Sequence, residues 1–308
     1  MQGNVPRPGL DFNAERRAVL DNHVAGTEEL AADHEDLDLV IWPENASDID
    51  PLRNPDAKAQ IERAVDAVEA PLIVGAILDE PAPAVSNASL LYRPEGGEPE
   101  RYVKQHPVPF AEYVPHREFY RLFSDKVDLV RAGFAKGEED VAFRIEGEGG
   151  TFSAIPTICF EVAYDGLMRD AVRHGEDQGY PSLLVVQTNN ATFGHTAEST
   201  QQYAISRIRA IEHGRSVAHV STVGVSGFVN PDGSSTPTTE LFTAAQPVDE
   251  VVLRSGLTVS DRLGPWVEWA SGLLVAGAGA LRLRKRLAGR LGDRRPSTPQ
   301  TEDVTTGA

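Results

Sequence analysis

The sequence predicts an α/β layered fold with mixed sheets, followed by an apolar helix near the C-terminal end. Short apolar, β-branched runs alternate with stretches whose apolar positions recur at helical spacing. Strand pairs then interrupt the alternation, so the sheet is not purely parallel. Past Arg262 the composition shifts to a nearly uncharged run.

In chain order, residues 13–32 read as an amphipathic helix, with Ala18, Val19, Leu20, Val24 and Leu30 near one stripe. Residues 37–42 form a strand that runs into a corner at Pro43 and Glu44. A second helix follows over 56–70 and a buried strand over 71–76. Residues 87–92 and 99–104 pair as a hairpin around Gly96 and Gly97. Residues 107–115 are a loop bracketed by prolines, with weak helical character only near 119–123. Residues 151–158 are a strand and 162–173 a helix, with Val162, Leu167, Met168, Ala171 and Val172 at helical spacing. A strand over 182–187, a helix over 200–213, and strands at 216–222 and 224–229 with a turn at 230–233 complete the layered part.

Residues 263–281 carry only Glu268 as a charge, with Trp266 and Trp269 at the head. Arg282, Arg284, Lys285 and Arg286 follow. Such a run is near the minimum length for a bilayer crossing, and aromatic and basic flanks suit one. The expected organisation is a catalytic domain over 1–262, a transmembrane helix with a basic flank over 263–286, and a disordered tail over 287–308.

With 308 residues, 41 % of them hydrophobic, the chain suffices for one large domain or two small ones. A net charge of −17 argues against a nucleic-acid partner. The single cysteine excludes an internal disulfide, and the eight histidines show no zinc-like pairing.

That cysteine, Cys159, falls between a strand and a helix, where it is held at a sheet end and neighbouring backbone N–H groups can face a reacting oxyanion. Two other strand-to-loop junctions carry chemistry of their own: Glu44 after Trp42 and Pro43, and Lys104 after Tyr102 and Val103. A Cys thiol is mostly protonated at neutral pH and needs a base to attack a carbonyl. Glu44 is the candidate base. Lys104 and the backbone N–H following Cys159 are the candidate oxyanion partners.

These segments resemble the carbon–nitrogen hydrolase (nitrilase) superfamily and, within it, the apolipoprotein N-acyltransferase family. The resemblance is carried by Ile41-Trp42-Pro43-Glu44-Asn45-Ala46, by Tyr102 to His106 leading into the distinctive Val108 to Pro115 loop, and by Ile158-Cys159-Phe160-Glu161. Asn189 to Gly194 and the Arg207 to Glu212 helix with Arg215 add to it. It runs from Gln2 to about Arg286, and it implies a four-layer αββα sandwich with the site at the ends of the central strands. It implies Glu44 as base, Lys104 as oxyanion cation and Cys159 as thioester nucleophile. Glu112 would orient Lys104 or the substrate, Glu161 would support the pocket, and Trp42, Tyr113, Phe160 and Phe193 would line or close it. Phe160 stands where the family usually has Tyr, and Asn190 and Thr192 replace an Asp and a Trp. The implied reaction moves a fatty acyl group from a phospholipid donor, through Cys159, to the N-terminal cysteine amine of an apolipoprotein, with no metal or organic cofactor. It implies a cell-membrane location with the catalytic domain on the extracytoplasmic face. The family also carries membrane helices and a first sheet strand ahead of Gln2, so the expectation is of a catalytic half. The alternatives are a soluble amidase of the same superfamily, or a domain inactive without its membrane half.

Overall fold

The computed structural model describes residues 1–5, 12–123 and 133–292; the part of the expected tail from 293 onward lies outside them. Residues 1–262 form one unit and residues from 263 onward a second.

The first unit contains helices α1 (Phe12–Asp33), α2 (Pro55–Val68), α3 (Arg117–Arg121), α4 (Asp165–Asp177) and α5 (Glu198–His213). Its strands are β1 (Val40–Ile41), β2 (Leu72–Leu78), β3 (Ser86–Tyr92), β4 (Glu100–Val103), β5 (Phe143–Gly147), β6 (Gly150–Ile158), β7 (Ser182–Thr188), β8 (Ser216–Ser221) and β9 (Gly227–Val229). A short helix, α6 (Val259–Leu263), runs to the boundary between the units. Strands β1 to β4 make one sheet in sequential order, and β5 to β9 make the other. Both are mixed: β1 and β2 are parallel, as are β6, β7 and β8, and the remaining pairings are antiparallel.

Period-two alternation sorts the side chains into layers, because successive strand residues face opposite sides. In β2, Leu72, Val74, Ala76 and Leu78 join Leu20 and Val24 of α1 and Ile61 and Val65 of α2 in one core. Ile73 faces the other way, into a core shared with Phe152 and Ala154 of β6 and Leu183 and Val185 of β7. On the far side of the second sheet, Ile155, Leu184, Val186 and Val217 pack with Met168 and Val172 of α4 and Ala210 of α5. Helix, sheet, sheet, helix is therefore the order of layers, as the family resemblance implies.

Several elements differ from the sequence reading. Of residues 37–42 only Val40–Ile41 pairs as strand. Strand β5 went unanticipated because buried Phe143 and Ile145 alternate with exposed Arg144 and Glu146, a short and charge-rich pattern. Helix α4 does not begin at Val162: a 3-10 turn over Cys159–Ala163 comes first, and α4 starts at Asp165. The turn at Asn230 to Gly233 closes beyond β9, where the Gly233 N–H donates to the Asn230 carbonyl at 2.8 Å.

In the second unit, helix α7 (Trp266–Gly292) continues past the expected boundary at 286. The expectation of a transmembrane segment is not met: among the described residues, no helix is long and apolar enough to cross a membrane. Glu268 and Arg282 bracket the uncharged run from Trp269 to Leu281. At ~1.5 Å per residue that run spans roughly 20 Å, against about 30 Å of hydrocarbon. Glycines and alanines dilute its hydropathy further.

Candidate functional site

Four strand ends converge on one place, and each contributes a loop residue. Glu44 follows β1. The Pro43–Glu44 corner sits so close to β2 that a Cβ on Gly75 would lie 2.2 Å from the Pro43 carbonyl oxygen and 2.7 Å from the Glu44 Cα. Only glycine admits that approach. Glu44 is 4 % exposed. Its Oε1 accepts from Asn87 Nδ2 at 2.7 Å and from Lys104 Nζ at 3.3 Å, and its Oε2 accepts the backbone N–H of Asn189 at 2.8 Å.

Lys104 follows β4 and is 1 % exposed. Its backbone N–H donates to the Asn87 carbonyl at 2.9 Å, which extends the hairpin pairing by one step. Its ammonium is shared between Glu44 and Glu112 Oε1, the latter at 2.9 Å. Glu112 in turn accepts the Val108 N–H at 2.6 Å, which ties the proline-bracketed loop to the lysine. Burial pushes the Lys104 pKa down, but the negative charges of Glu44 and Glu112 and the hydrogen bond to Glu112 oppose it, and the ammonium is held above its ordinary value.

Cys159 follows β6 and has φ +57°, in the left-handed region that a non-glycine residue enters at some cost. The thiol is partly exposed and lies within electrostatic reach of Glu44, Lys104 and Glu112. Burial and the Glu44 charge push it up to about 12, with Lys104 opposing. The thiol is therefore neutral at rest, and it would need a base to act as a nucleophile.

What stabilises the left-handed turn is Glu161, which is fully buried. Its Oε2 accepts the Ile158 N–H at 2.8 Å and the Tyr102 hydroxyl at 2.9 Å. Its Oε1 accepts the N–H groups of Gln105 at 2.6 Å and His106 at 3.0 Å. One carboxylate thus clamps the Cys159 turn to the Lys104 loop. Burial raises its pKa, and these donors oppose the shift.

The remaining expected residues divide. Phe160 and Phe193 are exposed, as is Phe110 two residues before Glu112, with Phe160 edge-on to Tyr164 at 6.0 Å. Tyr113 is half-buried and lines a groove with His106, Pro109 and Tyr164. Trp42 is a correction. It is fully buried in the core against α1, its indole N–H donating to Thr27 at 2.9 Å, so it packs within the core and does not line the opening. Strand alternation explains this: Trp42 shares the inward face with Val40, and Glu44 leaves the strand only after the corner.

Sequence reading missed Asn87, Thr188 and Gln202. Asn87 holds Glu44 from β3. Thr188 Oγ1 and Gln202 Nε2 lie 3.9 and 3.8 Å from the Cys159 sulfur. A fully buried Asn at the head of an apolar strand, and a Gln on the packed face of a helix, were the available signals.

Fold and site together define a thiol-bearing αββα sandwich with a buried carboxylate and ammonium at the mouth. The family model for carbon–nitrogen hydrolases matches residues 9–244, and the chain belongs to that family. An apolipoprotein N-acyltransferase of Mycolicibacterium smegmatis is 40 % identical over 97 % of this chain and 50 % of its own length. Another, from Photobacterium profundum, is 26 % identical over 96 % of this chain and 56 % of its own. The chain thus spans about half the length of these curated relatives. Among solved structures, an amidase from Nesterenkonia sp. superposes with a TM-score of 0.55 at 17 % identity, covering 78 % of this chain and 84 % of that one. Nit3 of Saccharomyces cerevisiae superposes with 0.55 at 16 % identity, covering 78 % and 86 %. These two share the fold.

Proposed function

We propose that this chain carries the catalytic half of an acyl transfer from phospholipid to the N-terminal amine of an apolipoprotein cysteine, with Cys159 holding the acyl group as a thioester. The observation that carries the reading is the buried cluster of Glu44, Lys104 and Cys159 at the strand ends, in a chain whose similar relatives bear the acyltransferase name.

Glu44 takes the thiol proton as the sulfur attacks the ester carbonyl carbon, because a thiol pushed up to about 12 supplies almost no thiolate on its own. The oxyanion is met by Lys104 and by the N–H following Cys159. Collapse breaks the ester C–O bond, Glu44 returns the proton to the departing lysolipid oxygen, and the thioester remains. The acceptor amine then attacks the thioester carbonyl, gives its proton through Glu44, and the sulfur leaves as the thiol. Glu112 orients Lys104 throughout, and Glu161 holds the turn that aims the sulfur. The exposed Phe110, Phe160 and Phe193 suit an acyl chain and keep water from the thioester. A phospholipid donor sets the reaction at a membrane surface, on the extracytoplasmic face of the cell membrane.

Intact-mass measurement after incubation with phospholipid vesicles tests the reading. The expected result is one acyl group on Cys159, removable by hydroxylamine and discharged by a peptide with an N-terminal cysteine. Release of free fatty acid without acylated protein indicates a hydrolase instead.

A further inference from the structure

The mechanism above leaves unused the two polar side chains nearest the sulfur apart from the charged groups. Gln202, on α5, is 6 % exposed, and Thr188, at the end of β7, is fully buried. An amide side chain can face a thiol with either end, and the two ends have opposite effects. An N–H stabilises developing negative charge on sulfur, whereas a carbonyl oxygen opposes it. The surrounding hydrogen bonds decide between them.

The decision starts at two backbone N–H groups, which can only donate. Gly224 N–H donates to Ser221 Oγ at 2.8 Å, and Val225 N–H donates to Ser199 Oγ at 2.9 Å. Both hydroxyls then direct their own protons to Asn190 Oδ1, at 2.7 Å from Ser221 and 3.4 Å from Ser199. With its oxygen so occupied, Asn190 turns its Nδ2 to Gln202 Oε1 at 2.8 Å, and the Thr188 hydroxyl donates to the same oxygen at 2.9 Å. The Gln202 carbonyl is thereby taken, and its Nε2 is left facing Cys159 Sγ at 3.8 Å. Gly224 belongs to this arrangement: a Cβ there would lie 2.2 Å from Asn190 Oδ1 and 2.4 Å from Ser199 Oγ.

We infer that Gln202 is a positioning residue for Cys159: a relay running from the Gly224 and Val225 N–H groups through Ser221, Ser199 and Asn190 forces its amide to donate to the sulfur. The donation has two consequences. It occupies a sulfur lone pair, so the thiol proton is directed elsewhere, toward the base. It also stabilises the thiolate that forms on attack and departs on deacylation. The charged groups facing the same sulfur are Glu44, Lys104 and Glu112; the neutral ones are Gln202 and Thr188, and the single Thr188 hydroxyl proton has its shorter contact with Gln202 Oε1, at 2.9 Å against 3.9 Å to the sulfur. Asn190 acts one bond further out, by setting which end of Gln202 the sulfur meets.

The inference rests on Cys159 being the nucleophile, but its test does not require acyl transfer. Because Cys159 is the sole cysteine, iodoacetamide alkylation of the full chain, followed by mass, reads this thiol alone, and so does the single infrared S–H stretching band. Gln202→Leu removes the donor at similar volume. Asn190→Asp keeps Gln202 but captures its NH2, turning the carbonyl oxygen to the sulfur. Both variants are expected to slow alkylation at fixed pH by about tenfold, the usual worth of a hydrogen bond to a charged group, and to shift the S–H band. Thermal melting reports folding, and Gln202→Glu, which keeps the shape and loses the N–H, replaces Gln202→Leu if that variant does not fold. Unchanged alkylation and an unmoved band in either folded Gln202 variant, or in folded Asn190→Asp, would overturn the inference. Loss of acyl transfer alone, with both thiol readouts unchanged, counts against it equally.

Discussion

Glu44 and Glu161 are both buried carboxylates within one site, and they differ in what reaches their oxygens. Glu161 meets three backbone N–H groups and a tyrosine hydroxyl, all neutral and all fixed by the chain's own turns. Glu44 meets an ammonium, a side-chain amide and one backbone N–H, and it faces the thiol. A carboxylate has about four acceptor positions. Those of Glu161 are filled by groups that shape the loop, whereas Glu44 is held from several sides and still lies within electrostatic reach of the Cys159 sulfur. Burial alone does not suit a carboxylate to the role of base proposed for Glu44; the identity of the partners does.

The sharpest way to break this comparison is to neutralise each carboxylate in turn. Glu44→Gln keeps its shape and loses the proton acceptor. Acyl loading of Cys159 should fall by about 10³-fold, within the range for a general base, a loss far beyond the drop of several degrees in melting temperature expected because its new amide confronts a buried donor. Loading within threefold of the parent would assign the base to another group.

Lys104→Arg comes next. A planar fork cannot occupy the compact position between Glu44 and Glu112, and loss of an oxyanion-type donor costs roughly 10²-fold in turnover. Single-turnover rates of thioester formation would measure it, and near-parental rates would remove Lys104 from contact with the substrate.

The Glu161→Gln effect should appear in stability first. Its new NH2 group would confront donors where an oxygen accepted them, at about 3 kcal/mol for two thwarted donors. For a domain of this size that lowers the melting temperature on the order of 10 °C. A melt unchanged beside a large loss of loading would mean that Glu161, too, takes part in proton transfer.

The smallest effect belongs to Tyr102→Phe, which deletes one of the four donors to Glu161 and should cost about 1 kcal/mol in denaturant unfolding. It should leave loading almost intact. A drop in loading larger than the change in stability would show that the Cys159 turn is sensitive to small displacements of its clamp.

The layers were legible because period-two and 3.6-residue patterns are local. β2, β3, β6 and β7 read directly from their apolar runs, and Glu44, Lys104 and Cys159 stand at or just past the ends of the segments read as strands at 37–42, 99–104 and 151–158. Local pattern fails where a segment borrows its stability from neighbours. Strand β5 is short and half charged, and it is held by pairing with β6. Residues 37–42 look like a full strand, but only Val40–Ile41 finds a partner in β2. The run past Arg262 had a composition suggestive of a bilayer crossing, yet its uncharged stretch is too short and too rich in glycine and alanine for one.

By itself, then, the sequence determined the class of fold and the three chemical groups, since a lone Cys, a Glu and a Lys at strand-to-loop junctions are properties of short segments. Only the tertiary structure decided which carboxylate borders the thiol and which clamps the turn, that Trp42 faces the core, and which end of Gln202 meets the sulfur. Each depends on hydrogen-bond partners far away along the chain: Glu44 on Asn189, Glu161 on Tyr102, and Gln202 on the N–H groups of Gly224 and Val225. The direction of a hydrogen bond is set by the whole network in which it ends, and no short stretch of sequence contains that network.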